Sequence, residues 1–181
     1  MIYVVIAVVV VVVLVAVLYN SLVRARVRVE NAWSQIDVQL KRRIDLIPNL
    51  VETVKGYAAH EKQTLEAVIN ARNAAATAAP TPSAQAAADG ALSGALRQLF
   101  ALSESYPDLK ANQNFLALQE ELTATEGRVS YARQFYNDSV MHYNTSIQKF
   151  PTLFIARIGG FTAKDFFETD AADRVVPKVQ F

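Results

Sequence analysis

The sequence predicts an all-α protein, in which an N-terminal transmembrane helix is followed by an antiparallel four-helix bundle with long helices. Residues 2–18 carry no charged or strongly polar side chain, as expected of a membrane-spanning helix. The chain has only six glycines and six prolines, and its middle is rich in good helix formers. Between residues 115 and 150, large apolar residues recur at every seventh position, which indicates coiled-coil-like packing against other helices.

The first element is the predicted membrane anchor, residues 1–19. At ~1.5 Å per residue, residues 2–18 span ~26 Å, and the flanking residues bring the helix close to the ~30 Å hydrocarbon core. A cleaved signal peptide is disfavoured, because no basic residue precedes the run and no small-x-small cleavage site follows it. A lipoprotein anchor is excluded by the absence of cysteine. We therefore expect an uncleaved anchor that contacts the lipid bilayer through residues 2–18.

Three arginines directly after the anchor predict its orientation. Arg24, Arg26 and Arg28 favour a cytoplasmic location for the segment that follows, because basic residues next to a span stay inside. We expect a single-pass protein of the bacterial inner membrane, with its N-terminus outside and its bundle in the cytoplasm; a periplasmic bundle is the alternative. The same arginines are candidate contacts to anionic lipid headgroups, each contributing about 1 kcal/mol.

The first bundle helix is predicted over residues 20–44, in direct continuation of the anchor. At Asp45–Asn49 the proline Pro48 and the capping-box spacing of Asn49 and Glu52 predict a tight reversal. The alternative is one long kinked helix, because the apolar stripe keeps its spacing through the proline. That stripe contains Leu22, Val29, Trp33, Ile36, Leu40, Ile47, Val51 and Val54.

The remaining elements complete a bundle domain over residues 20–150. A second helix is expected over 48–76, a flexible connection over 74–90, and a third helix over roughly 84–104. A fourth helix is expected over 106–149, started by a capping box at Ser105. Its heptad residues are Phe115, Leu122, Val129, Tyr136, Tyr143 and Phe150. The aromatic-rich tail, residues 151–181, is expected to pack on the bundle.

Charge and motifs point away from nucleic acid binding and catalysis. With 18 basic and 17 acidic residues, the chain has no strong field, and we expect no nucleic-acid partner. The only histidines are His60 and His142; position 64, where a zinc-protease motif needs the second histidine, is Thr64. Neither histidine follows a glutamate by three residues, as a di-iron bundle would require. We predict no catalytic, cofactor or metal site, and therefore a protein that is not an enzyme.

The basic cluster before Pro48 is the candidate surface for a protein partner. Lys41, Arg42 and Arg43 would complement the dipole of a helix C-terminus, which explains them without any function. The functional interpretation is a contact with a membrane protein or membrane-associated protein. Its candidate residues are Arg42, Arg43, Asp45, Pro48 and Asn49. The sequence leaves the oligomeric state open.

Several strings along the chain resemble the LemA family of bacterial membrane proteins. They include Asn31-Ala32-Trp33-Ser34-Gln35, Arg42-Arg43-Ile44-Asp45-Leu46-Ile47-Pro48-Asn49, His60-Glu61, Ala132-Arg133-Gln134-Phe135-Tyr136-Asn137 and Val176-Pro177-Lys178-Val179-Gln180-Phe181. The resemblance implies one N-terminal membrane anchor and an antiparallel helical bundle, but no settled reaction. Some relatives carry a lipoprotein cysteine where this chain has Leu18. Those members face outward, so the resemblance by itself does not support a cytoplasmic bundle.

Together these observations predict a membrane-anchored adaptor or scaffold at the inner membrane. One alternative is a ligand-binding or enzymatic bundle with an internal polar site, for which Glu61, Asn31 and Gln35 are the possible lining residues. Another is a membrane-shaping protein that binds lipid through the arginine-rich first helix or the aromatic tail.

Overall fold

The computed structural model of the protein describes residues 1–167. These residues form six helices and no strand, so the all-α prediction is confirmed. The helices are α1 (Ile2–Lys55), α2 (Lys62–Thr77), α3 (Pro82–Ser103), α4 (Pro107–Lys110), α5 (Gln113–Gln148) and α6 (Thr152–Ile158). The predicted tail is described only to Phe167, and its end, Phe181 included, lies outside the described residues.

The N-terminal part of α1 is the expected apolar helix. Residues 2–17 are exposed throughout, and an 18-residue window there has a mean hydropathy of 3.3. By length and composition, α1 is the one helix in the described part of the chain that could cross a membrane. A buried core helix would have these side chains covered by protein, so their exposure fits a lipid environment.

The predicted reversal at Asp45–Asn49 is wrong, because α1 continues through Pro48 as one helix of 54 residues. A proline inside a helix removes a hydrogen bond and is unfavourable by about 3 kcal/mol. Here the neighbouring residues Ile47, Leu50 and Val51 are buried on the core side, while Pro48 is exposed. Each fully buried aliphatic side chain contributes about 1.5–3 kcal/mol, so burial of this face outweighs the penalty. Consequently the second helix begins at Lys62, not near residue 48.

The segment 74–90, expected to be a flexible connection, is mostly helical. Only residues 78–81 separate α2 from α3. Thr81 caps α3 by accepting a hydrogen bond from the Ala84 N–H at 3.4 Å, and Pro82 occupies the first turn, where proline is tolerated. The alanines are good helix formers, and Ala75 and Ala86 are buried.

The predicted fourth helix is divided into α4 and α5. Ser105 does not cap it; Asn112 caps α5, since its Oδ1 accepts a hydrogen bond from the Phe115 N–H at 3.0 Å. Five of the six heptad residues are buried. The sixth, Phe150, is 81 % exposed, because α5 ends at Gln148 before the repeat is complete.

The chain divides into two compact units. The first unit contains Met1–Ile36 and Ala132–Phe166, so it joins the beginning of α1 to the end of α5 and to α6. Its core residues include Leu22, Val29, Ala32, Ile36, Ala132, Tyr136, Val140, Tyr143, Ile147, Ala156 and Phe161. The second unit contains Asp37–Tyr131. Its core draws on α1, α2, α3, α4 and α5, and includes Ile47, Leu50, Val54, Leu65, Val68, Leu92, Leu96, Leu99, Leu109, Phe115 and Leu122.

Candidate functional site

The first unit carries aromatic and basic groups just beyond the apolar segment. The ring of Tyr19 packs edge-on against Phe161, with the two centroids 5.6 Å apart. The guanidinium carbon of Arg26 lies 5.5 Å from the same Phe161 centroid, and its Nε is 3.7 Å from Glu30 Oε1. Aromatic rings with a polar edge favour the boundary between water and hydrocarbon, which is the position of Tyr19 in the sequence.

Arg24 and Arg28, two of the predicted headgroup residues, lie beside one shallow depression of about 420 Å³. The guanidinium of Arg28 lies 5.5 Å from the ring centroid of Phe135. The depression is lined by Val23, Arg24, Val27, Arg28, Asn31, Gln35 and Phe135. Guanidinium and amide groups are the donors that bind a phosphate oxygen. The structure places Arg24 and Arg28 beside the same depression, while Arg26 lies against Phe161.

The beginning of the tail is held on α5 by three side chains. The Tyr136 hydroxyl donates to the Asp165 carbonyl at 2.9 Å, and the Tyr143 hydroxyl donates to the Thr162 carbonyl at 3.0 Å. Burial raises the pKa of both tyrosines above the ordinary value of 10.0, so both phenols keep the proton they donate at neutral pH. The Asn144 amide completes the attachment: it donates to the Lys164 carbonyl at 2.8 Å and accepts from the Lys164 N–H at 2.9 Å.

Asn144→Ala is expected to loosen this segment. The substitution removes both hydrogen bonds to the Lys164 backbone, which lowers the free energy of unfolding by about 1–3 kcal/mol. Limited trypsin digestion in detergent should cleave after Lys164 several times faster than in the parent chain. Gln134→Ala, at an exposed position on the same helix, is the control and should leave the rate unchanged. Equal cleavage in both variants would mean that Asn144 does not hold the tail.

In the second unit, the predicted partner-contact residues separate into buried and exposed groups. Arg43 is only 2 % exposed and cannot contact a partner as expected. Its Nη1 donates to Asp89 Oδ1 at 2.7 Å and to Ser93 Oγ at 2.9 Å, and its Nη2 lies 3.6 Å from Glu126 Oε2. Buried charges need such partners, because an unpaired charge out of water is strongly unfavourable. Arg43 is therefore a structural residue of the core.

Arg42, Asp45, Pro48 and Asn49 are exposed on α1. Arg42 Nη2 forms an ion pair with Glu121 Oε1 at 2.5 Å. Asp45 borders a groove of about 350 Å³, which we call the α1–α2 groove. Its lining residues are Asp37, Leu40, Lys41, Ile44, Asp45, Arg72, Ala75, Ala76, Ala78, Pro80 and Gln85. The side-chain Nε of Arg72 is buried without a hydrogen-bond partner in the described residues.

The three possible lining residues of the alternative polar site are divided between the two units. Asn31 and Gln35 are exposed in the first unit. Glu61 belongs to the second unit, where its Oε1 accepts a hydrogen bond from the Tyr106 hydroxyl at 2.8 Å. This hydrogen bond is the main reason for the raised pKa of Tyr106. Within residues 1–167, no group of three or more histidine, cysteine or acidic side chains is arranged to hold a metal ion.

Sequence reasoning missed the core role of Asp89 and Ser93. Asp89 falls in the segment expected to be a flexible connection, but it precedes Leu92, Leu96 and Leu99 at helical spacing and is buried with them. Arg43 likewise falls between Leu40 and Ile47 on the α1 stripe. A cation and an anion that each interrupt an apolar stripe are the signal that could have identified this pair.

Comparison with known proteins places the chain in a family. The sequence model of the LemA family matches residues 32–181. The chain is 26 % identical over 179 residues to the magnetosome protein MamQ of Magnetospirillum gryphiswaldense. This alignment covers 85 % of the present chain and 66 % of MamQ. MamQ 1 of Paramagnetospirillum magneticum matches equally. Protein LemA of Metamycoplasma hominis is 26 % identical over 159 residues, 86 % of this chain and 71 % of that protein. This chain thus spans about two thirds of the MamQ length. Because the family match covers most of its residues and agrees with the resemblance in its motifs, the chain belongs to the LemA family.

Proposed function

We propose that this protein is a membrane-anchored, non-enzymatic adaptor that binds a protein partner through the α1–α2 groove. The observation that carries the proposal is the unbroken helix α1. One helix contains both the exposed apolar segment 2–17 and the groove residues Asp37, Lys41 and Asp45. A groove on the anchor helix itself would recruit its partner to the membrane without any further linker.

The lining of the α1–α2 groove suits a peptide segment with mixed charge. Lys41 and Arg72 offer cationic donors, while Asp37 and Asp45 offer carboxylate acceptors. Leu40, Ile44 and Ala75 add apolar contact area. Charges of both signs at fixed positions in the groove favour one register of a bound peptide and disfavour the others.

Site-specific photo-cross-linking in the bacterial membrane tests the groove. A photo-cross-linking amino acid at Ala76, an exposed groove residue, should give a discrete adduct with a protein; the same amino acid at exposed Ala74, outside the groove, should not. Asp45→Arg should remove the Ala76 adduct, because it reverses a lining charge. Glu66→Arg, an equal charge reversal on exposed α2 surface, should retain it. Equal adducts at positions 74 and 76, or adducts unaffected by Asp45→Arg, would contradict the proposal.

We further propose that the second unit and its groove are cytoplasmic, on the inner membrane of a bacterium. Arg24, Arg26 and Arg28 support this, because basic residues that follow a span are retained inside. The sequence contains no cysteine, so Glu66→Cys creates a unique thiol at an exposed position of the second unit. A membrane-impermeant maleimide should label it only after the inner membrane is permeabilised. Labelling in cells with an intact inner membrane would instead place the site outside.

A further inference from the structure

The short helix α6 and Phe150, two residues before it, expose an apolar face. Phe150 is 81 %, Phe154 56 % and Ile158 88 % exposed. The rings of Phe150 and Phe154 pack edge-on with centroids 6.1 Å apart, and Phe154 and Ile158 share one helix face because they are four residues apart. Ala156 is 2 % exposed, so the helix also has a side that packs on the first unit. We call the exposed side the α6 apolar face.

The charges around the α6 apolar face are basic. Lys149 and Arg157 are exposed beside it, and residues 149–160 contain no acidic residue. An apolar face flanked by lysine and arginine is typical of segments that lie in the interface of a membrane with anionic lipids. Large apolar side chains exposed together on a small protein usually mark a contact surface.

Within the first unit, the α6 apolar face lies at the level where the apolar segment of α1 ends. Trp33 packs against Tyr136, with ring centroids 5.5 Å apart. The Tyr143 hydroxyl donates to the carbonyl of Thr162, which directly follows Phe161, the ring that packs against Tyr19. The C-terminal part of α5 therefore runs towards the beginning of α1.

The helical rise gives the level of Phe150. Tyr19 lies fourteen residues before Trp33, and Phe150 lies fourteen residues after Tyr136. At ~1.5 Å per residue, Tyr19 is ~21 Å from the Trp33–Tyr136 contact, and Gln148, the last residue of α5, is ~18 Å from it in the same direction. Phe150, two residues beyond the end of α5, is thus near the level of Tyr19, next to the last apolar residues of the membrane segment.

We propose that the α6 apolar face is a second membrane contact, inserted into the headgroup region of the leaflet from which α1 emerges. The occupant is the lipid bilayer, because the face lies near the level where the apolar segment of α1 ends and because cationic side chains flank it. Two contacts, one spanning and one interfacial, would restrict the tilt of the first unit on the membrane surface. This contact is independent of any partner in the α1–α2 groove.

Spin-label depth measurements on the full chain test the contact. The cysteine-free chain is reconstituted into vesicles of phosphatidylethanolamine and phosphatidylglycerol after Phe154→Cys or Ile158→Cys is labelled with a nitroxide. Val9→Cys provides the reference for the bilayer interior. Gln134→Cys, exposed on α5 and ~21 Å before the end of that helix, provides the reference for water. The ratio of oxygen accessibility to nickel-chelate accessibility reports the depth of each label.

The labels at 154 and 158 are expected to give an oxygen-to-nickel accessibility ratio several-fold higher than that of the label at 134. Their ratios should remain below that of the label at 9, which lies in the bilayer interior. Ratios at 154 and 158 equal to the ratio at 134 would place the face in water and overturn the proposal. Spin–spin broadening at 154 that disappears on dilution with unlabelled chain would assign the face to a second copy, which would also overturn it. All four labelled positions are exposed, so we expect the labels to leave the packing of the core unchanged.

Discussion

Arg43→Met is expected to destabilise the second unit strongly, by about 3–5 kcal/mol, because it leaves the buried Asp89 carboxylate without its cation. The guanidinium accounts for a 2.7 Å ion pair and a 2.9 Å hydrogen bond to Ser93 inside the core. Chemical denaturation of the full chain in mild detergent, followed by circular dichroism, measures the free energy of unfolding.

The adjacent arginine is a matched control for this prediction. Arg42→Met removes an exposed ion pair with Glu121, which is worth about 0–1 kcal/mol. A double variant, Arg43→Met with Asp89→Leu, should recover part of the loss, since both buried charges are then removed. If Arg43→Met and Arg42→Met unfold at the same denaturant concentration, the Arg43–Asp89 pair does not stabilise the core.

The second large effect is expected in the apolar segment. The double substitution Val9→Arg and Val10→Arg places two charges at the middle of residues 2–18, each unfavourable by about 2.5–3.5 kcal/mol at the centre of a bilayer. The chain should disappear from membranes washed with alkaline carbonate, which removes proteins that do not span the bilayer. The measured quantity is the fraction of the chain in the washed membrane pellet.

Val38→Arg is the control for the apolar segment, because Val38 is exposed on the same helix outside residues 2–18. It should remain in the washed membranes as the parent chain does. If the double arginine variant also remains, residues 2–18 are not the span. An interfacial α6 does not resist the carbonate wash alone, so the two membrane contacts are tested separately.

Features that depend on local sequence were predictable. The long apolar run, the helix formers between the loops and the heptad residues of α5 each follow from neighbours three to seven positions away. Local patterns also gave two wrong predictions: a turn at Pro48 and a flexible connection over the Ala-rich segment 74–90. Both were wrong because local patterns do not include the burial that favours a helix at these positions.

The candidate sites depended more on long-range contacts. The local pattern makes Arg43 a charged residue near a helix end, whereas in the structure it pairs with Asp89, forty-six residues further along the chain. Asp45 became a groove residue only through Arg72 and Gln85 on α2 and α3. No local pattern predicts which distant residues meet, since that choice is made by packing.

The sequence by itself determined that the chain is helical, that residues 2–18 suit a membrane and that the chain resembles the LemA family. These properties reside in side-chain hydrophobicity and short-range periodicity. The tertiary structure alone decided that α1 passes unbroken through Pro48, that Arg43 is a core residue, and that Phe161, shortly after α6, packs against Tyr19. Each of these results from the burial of surfaces contributed by residues far apart in the chain, which outweighs local preference where the two disagree.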